Sequence, residues 1–244
     1  MIYSEGPNFE ILETQNQKKY LEEMILRNNL RQIATLQRAV HLAGAVARIL
    51  LAPLPNGDTV VGTGFLIDKD LLLTNNHVFP TKESTIGARV QFNYQKDLAN
   101  NFLPVDEYTC ESDALFITDA ELDYTVVKLS NNPGAKWGFI GIPNETDINE
   151  GEDVFIIQHP GGAEKMISLS ENMVTAVSGD KVQYITDTLG GSSGSPVFND
   201  SWELVALHHA AVSDGSGKVR NEGIAISEIK KKIKSQLGNG PFFH

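Results

Sequence analysis

An all-β fold, built as a sandwich or a barrel, is what this chain of 244 residues predicts, and three observations carry it. Short apolar and β-branched runs recur from Ala45 to Ile226, with Gly, Pro and Asn turns between them. Helical periodicity is confined to the two ends of the chain. At 41% hydrophobic residues, the composition can fill one large all-β domain or two small ones.

Taken in order, the chain reads as helical from Asn16 to about Ala43. There Leu26, Leu30, Ile33, Leu36 and Val40 recur at intervals of three and four residues and form one apolar stripe. From Ala45 the character becomes β-like: Ala45 to Leu51, Thr59 to Ile67, Leu71 to Thr74, Arg89 to Phe92 and Tyr108 to Glu111. Further runs follow at Tyr124 to Leu129, Val154 to Gln158, Val182 to Ile185, Ser195 to Phe198, Leu204 to His208 and Gly223 to Ile226. The C-terminal segment is helix-like. It holds the only basic run, Lys230-Lys231-Lys232 with Lys234, expected as a solvated helix face.

A formal charge of −11 argues against nucleic acid as a partner, because phosphates attract basic surfaces. No apolar run approaches the roughly 20 residues of a membrane span, and Met1 to Tyr20 lacks the pattern of a signal peptide. The one cysteine, Cys110, excludes an intramolecular disulfide and suits a reducing compartment, so the cytoplasm is the expected location. No zinc pattern, phosphate loop or dinucleotide fingerprint is present, and no metal or organic cofactor is expected. His159, in Gln158-His159-Pro160-Gly161-Gly162, has no ligand-type companions and reads as a loop residue near a cleft.

Three segments carry chemistry. Gly190-Gly191-Ser192-Ser193-Gly194-Ser195-Pro196 places Ser193 on a glycine-flanked turn, where a hydroxyl can be exposed and a carbonyl can approach main-chain N–H groups. Upstream lie Gly62-Thr63-Gly64-Phe65-Leu66-Ile67 and then Leu73-Thr74-Asn75-Asn76-His77-Val78-Phe79. Between them stands Asp123-Tyr124-Thr125-Val126-Val127. A serine hydroxyl is a weak nucleophile at neutral pH and needs a neighbouring base. Histidine suits that task, since its unperturbed pKa of about 6.5 lies near the working pH.

In the order His77, Asp123, Ser193, with these surroundings, the chain resembles the trypsin-like serine proteases of the bacterial, disulfide-free type over roughly residues 44 to 235. The resemblance implies two six-stranded antiparallel β-barrels and a closing C-terminal helix. The expected division is a helical extension (1–43), a protease domain (44–238) and a tail (239–244). It also implies that His77 is the general base, Asp123 orients it, and the N–H groups of Gly191 and Ser193 form an oxyanion hole. Ser192 stands where vertebrate-type relatives carry an aspartate that pairs with a newly cut N-terminus, so no zymogen cleavage is expected.

The pocket that would read the substrate is ambiguous. Asp187 lies where trypsin-type enzymes place the acid that binds Lys or Arg, which favours a basic residue before the scissile bond. Thr188 and the strand bearing His208 and His209 instead resemble glutamyl endopeptidases, which read a glutamate; Gly223 belongs to the same expected pocket. The expected partners are a peptide or protein substrate and, at the N-terminal helix, a regulatory protein or fused signalling domain. A helix that merely packs on the barrel is the plainer reading of that extension. A catalytically silent peptide-binding module is the alternative to an enzyme.

Overall fold

Apolar and β-branched runs with their side chains alternating across a pleat pair here into two antiparallel sheets. The structure, a computed structural model, describes residues 32–53, 57–144, 146–170, 172–213 and 219–237. The helix α1 (Ile33–Gly44) leads into the first sheet, made of β1 (Val46–Leu50), β2 (Val61–Leu66), β3 (Leu71–Thr74), β4 (Arg89–Phe92), β5 (Asp106–Tyr108), β6 (Phe116–Asp119) and β7 (Tyr124–Lys128). Their spatial order is β5-β4-β1-β2-β3-β7-β6. A short helix, α2 (Gly134–Trp137), follows. The second sheet comprises β8 (Phe155–Gln158), β9 (Met166–Ser168), β10 (Val174–Ser178), β11 (Lys181–Tyr184), β12 (Pro196–Phe198), β13 (Leu204–Ser213) and β14 (Val219–Ala225), ordered β10-β11-β14-β13-β12-β8-β9. The helix α3 (Ile226–Leu237) closes the described chain.

The two β-units match the expected architecture, but each sheet has seven strands where six were expected. The strands absent from the sequence reading, β6, β9 and β10, all lie at sheet edges. Edge strands bury little, so their apolar pattern is weak: Met166 and Ile167 of β9 are exposed. The expected run Tyr108 to Glu111 is displaced to Asp106–Tyr108, where Asp106 pairs with Phe92 and Tyr108 with Val90.

The cores follow from the same alternation. Phe155 and Ile157 of β8 join a large cluster with β1 to β4, β7 and α3, while Val154 and Ile156 face a smaller one with Val182, Tyr184, Val197 and Val205. Cys110 sits beside the large cluster and is free, and burial pushes its thiol up to about 12.

The N-terminal stripe departs from expectation. Ile33 and Val40 are 76% and 75% exposed and Leu36 is also exposed, whereas Ala39 is buried. Thus α1 docks through Ala39, with Leu42 and Ala43 partly buried against the large cluster, helped by Arg38 Nη1 donating to the Ser201 carbonyl at 2.8 Å and Lys165 Nζ to the Ala43 carbonyl at 2.6 Å. The part of the expected helix before residue 32, with Leu26 and Leu30, lies outside the described residues, as does the tail from 238. The basic run at the other end is also not simply a solvated face. Lys230 is buried, with Nζ donating to the Pro143 carbonyl at 2.7 Å, and Lys232 pairs with Asp119 at 2.9 Å. Lys231 and Lys234 are the exposed pair. No helix among the described residues is long and apolar enough to cross a membrane.

Candidate active site

His77 lies in the turn that leaves β3. The turn is fixed from below: Val78 and Phe79 are buried, their N–H groups donate to the Asn75 carbonyl at 3.2 Å, and Thr125 Oγ1 holds the Phe79 carbonyl at 2.8 Å. With its neighbours anchored in the core, the His77 side chain is left half exposed.

Asp123 enters the site from the start of β7. Its φ of 42° is left-handed, a conformation that Asp and Asn tolerate better than most residues. The turn before it is tied by Asp119 Oδ1, which accepts from the N–H groups of Glu121 at 3.0 Å and Leu122 at 2.9 Å. Asp123 Oδ1 accepts from the His77 N–H at 3.0 Å, and Oδ2 lies 2.8 Å from His77 Nδ1. The imidazole is therefore held at one nitrogen, leaving Nε2 for chemistry. Burial alone would raise the Asp123 pKa, but bonds from the His209 ring and from the His77 ring and N–H outweigh it, holding the carboxyl well below its usual range.

The serine loop turns as its glycines predict. Gly191 and Gly194 have φ of 95° and 89°. Ser192 is buried and its N–H closes a turn on the Leu189 carbonyl at 3.0 Å, while the Gly194 N–H donates to the His208 carbonyl at 2.9 Å. Among the described residues, the N–H groups of Gly191 and Ser193 donate to no protein group. Two such donors, two residues apart on a tight turn, suit a developing oxyanion. Ser193 Oγ is turned towards the His209 carbonyl at 3.4 Å and makes no hydrogen bond to His77. Catalytic contacts in free enzymes are often long and tighten only with substrate.

The first sheet reaches across to hold this loop through Thr63 on β2. Its N–H donates to the Ser193 carbonyl at 2.8 Å, and its hydroxyl donates to the Gly191 carbonyl at 2.8 Å and accepts from the His159 N–H at 3.1 Å. His159 is fully buried here, and burial pushes its pKa down to about 3, so it stays neutral. The residue Thr63 stands within the Gly-Thr-Gly motif of the sequence, but its clamp on the serine loop is a tertiary fact. Thr63→Val keeps the shape and removes the hydroxyl, leaving buried backbone groups unpaired. Thermal unfolding should show a loss of about 1–3 kcal/mol, and a serine-directed probe should label Ser193 at least about tenfold more slowly. Thr63→Ser, which keeps the hydroxyl, should retain both properties.

The expected pocket residues divide. Asp187 is exposed, and what is held is its backbone carbonyl, by Gln158 Nε2 at 2.9 Å; it is not a buried acid at a pocket floor. Thr188 Oγ1 donates to Asn221 Oδ1 at 2.7 Å. His208 is buried, its Nδ1 2.8 Å from the Tyr184 hydroxyl, and burial pushes its pKa down to about 3. Gly223 pairs with His208, and a Cβ there would lie 3.2 Å from the same hydroxyl.

His209 takes a different place. The pairing of β13 with β14 shifts between His208 and Ala210, so His209 is the extra residue of a bulge. Its Nδ1 lies 3.2 Å from Asp123 Oδ2 and its Nε2 3.1 Å from Glu222 Oε1. Burial opposes charge on this ring, but the bonds to Asp123 and Glu222 prevail and raise its pKa. Glu222 was not visible as a site residue in the sequence. Burial alone would raise its pKa, yet bonds from Lys181, Gln183 and His209 bring it down to about 2.

Comparisons with known proteins agree with this architecture. Residues 62–207 match the family described as the Trypsin-like peptidase domain. The chain is 38% identical over 211 residues to the uncharacterized protein y4fB of Sinorhizobium fredii, covering 79% of this chain and 32% of that protein. It is 28% identical over 197 residues to a glutamyl endopeptidase of Staphylococcus aureus, covering 78% and 58% of the two chains. The chain thus spans about a third of the first of these relatives and less than two thirds of the second. Among solved structures, the active form of the Rv3671c protease from M. tuberculosis superposes with a TM-score of 0.64 at 16% identity, over 90% of this chain and 95% of that one, a likeness of fold. The motif order, the double-sheet fold and the match across most of the chain converge: this chain belongs to the trypsin-like peptidase domain family of serine proteases.

Proposed function

We propose that the chain is a serine endopeptidase that hydrolyses peptide bonds through an acyl-enzyme on Ser193. The observation that carries this reading is the 2.8 Å contact of His77 Nδ1 with Asp123 Oδ2, beside a serine loop that presents two unpaired N–H groups. His77 takes the Ser193 proton as the hydroxyl attacks the substrate carbonyl, a step that requires the Ser193 side chain to turn from the His209 carbonyl towards the base. The N–H groups of Gly191 and Ser193 stabilise the resulting oxyanion. His77 then donates its proton to the departing amine, and water repeats the sequence to release the acid.

Asp187 gives no support for a preference for a basic residue before the scissile bond, because its side chain is exposed. The peptide or protein substrate is met in a setting where the neutral Tyr184–His208 pair and the Thr188–Asn221 pair supply polar groups. Control by a partner acts, in this reading, through the exposed stripe Ile33, Leu36 and Val40 of α1.

A fluorophosphonate probe tests the central claim. The adduct should map to Ser193 by mass spectrometry, and Ser193→Ala should abolish it while leaving thermal unfolding unchanged. A folded protein that takes no label would favour the silent peptide-binding module instead.

A further inference from the structure

We propose that His209 is a positioning residue held as an imidazolium, a charged strut that clamps the Asp123 carboxylate for His77 and is itself clamped by Glu222. This inference rests on the protease reading above. Both ring nitrogens of His209 face carboxylate oxygens, Nδ1 at 3.2 Å from Asp123 Oδ2 and Nε2 at 3.1 Å from Glu222 Oε1. An ionised carboxylate only accepts, so both nitrogens must donate, and only the doubly protonated ring does so. Either neutral tautomer would set a ring lone pair against a carboxylate oxygen in a partly desolvated site, where the side chains of His209, Asp123 and Glu222 are 18%, 16% and 4% exposed.

The groups around the ring support its charge. From the turn after β3 comes His77, from β7 Asp123, and from β14 Glu222. The neighbour on β13, His208, is kept neutral by burial and so adds no competing cation. From β11, Lys181 Nζ reaches Glu222 Oε1 at 2.7 Å and Gln183 Nε2 reaches Oε2 at 2.8 Å, which keeps Glu222 ionised and fixed. The result is a row of alternating sign, Asp123, His209, Glu222, Lys181, running from the first sheet into three strands of the second. Asp123 belongs to one half of the molecule and Ser193 to the other, so the strut ties the base's carboxylate to the half that carries the nucleophile. The bulge at His209 is what frees the ring to point this way. Its own carbonyl also receives the Ser193 hydroxyl.

The test uses the full chain with ¹⁵N-labelled histidines. Ring ¹⁵N spectra should show His209, assigned by loss of its signal in His209→Gln, still protonated on both nitrogens at pH values above the ordinary histidine value of about 6.5. In Glu222→Gln the same signal should lose its second proton at lower pH. Kinetically, His209→Gln should lower kcat roughly tenfold to a hundredfold with KM unchanged, the loss expected for a buried bond to a charged group. It should also move the acid limb of the kcat/KM profile to higher pH, since a cation beside Asp123 has gone. A purely structural role would not move that limb. A His209 that loses its second proton at or below that ordinary histidine value in the unmodified protein overturns the strut, as does a His209→Gln enzyme with parental kcat and profile. If the unmodified protein takes no fluorophosphonate on Ser193, the protease reading falls and the positioning role with it. If labelling proceeds while the ring is neutral, only the strut is lost.

Discussion

Asp123→Asn is expected to lower kcat/KM on a peptide substrate by about 10⁴-fold, by analogy with the same exchange in the type enzyme of this triad, while the protein still folds. Folding survives because Asn, like Asp, accepts the left-handed φ of 42°. Its side-chain oxygen can still take the His77 N–H, and the residue's carbonyl keeps its 2.8 Å bond from Asn75 Nδ2. What changes is the oxygen that both His77 Nδ1 and His209 Nδ1 face. An amide NH₂ there donates rather than accepts, so His77 must present a bare Nδ1 and carry its proton on Nε2. The nitrogen that should receive the Ser193 proton is then already protonated. The same NH₂ also confronts His209, and the lost charge-assisted bonds should cost about 1–3 kcal/mol of stability. Steady-state kinetics and thermal unfolding on one preparation check both halves. A kinetic loss smaller than tenfold would show that Asp123 does not set the tautomer of the base.

Gly194→Ala should be the most damaging single-methyl change in the site. At φ of 89° an alanine is strained, by about 1–3 kcal/mol. A Cβ at this position would also overlap the Thr63 carbonyl oxygen and Thr74 Oγ1, both in the fully buried wall of the first sheet. Those two atoms are bonded to each other at 2.7 Å, so neither can yield without breaking that bond. The serine loop must therefore move off β2, which strains the Thr63–Ser193 bond and displaces the N–H groups of Gly191 and Ser193. Adding about 1–3 kcal/mol of overpacking, the total reaches about 2–6 kcal/mol, or a fall in Tm on the order of 10 °C for a chain of this size. Ser193 labelling should be lost. Gly190→Ala is the control: nothing lies within 4 Å of a Cβ there and its φ is not left-handed, so stability and labelling should be kept. Equal stability of Gly194→Ala and the parent would mean that the loop is not braced on β2.

Legibility in the sequence followed burial. The bounds of β3 and β4 agree with the runs Leu71 to Thr74 and Arg89 to Phe92, because every residue but Arg89 is buried and the pattern is unbroken. The edge strands β6, β9 and β10 were not legible, since one side of an edge is free of pairing and its residues need not be apolar. The stripe on α1 misled in the opposite direction: Ile33, Leu36 and Val40 have helical spacing, yet they face outward while Ala39 is buried. Periodicity shows that a helix is amphipathic, not which body covers its apolar face.

For the site, the sequence by itself determined the residue types and their order: a histidine after a buried strand, an aspartate before another, and a serine between glycines. Those are local requirements of turn geometry and intrinsic reactivity, and local requirements are written in neighbouring residues. Only the tertiary structure decided what each polar group meets. Asp187 is exposed, while Glu222, just outside the expected run Gly223 to Ile226, is buried opposite His209. That meeting depends on a one-residue shift in the β13–β14 register. Thr63 likewise became the clamp on the serine loop because two sheets distant in sequence abut at that point. Hydrogen-bond partners across sheets are set by register and packing, to which residues far apart in the chain contribute jointly, so no local pattern records them.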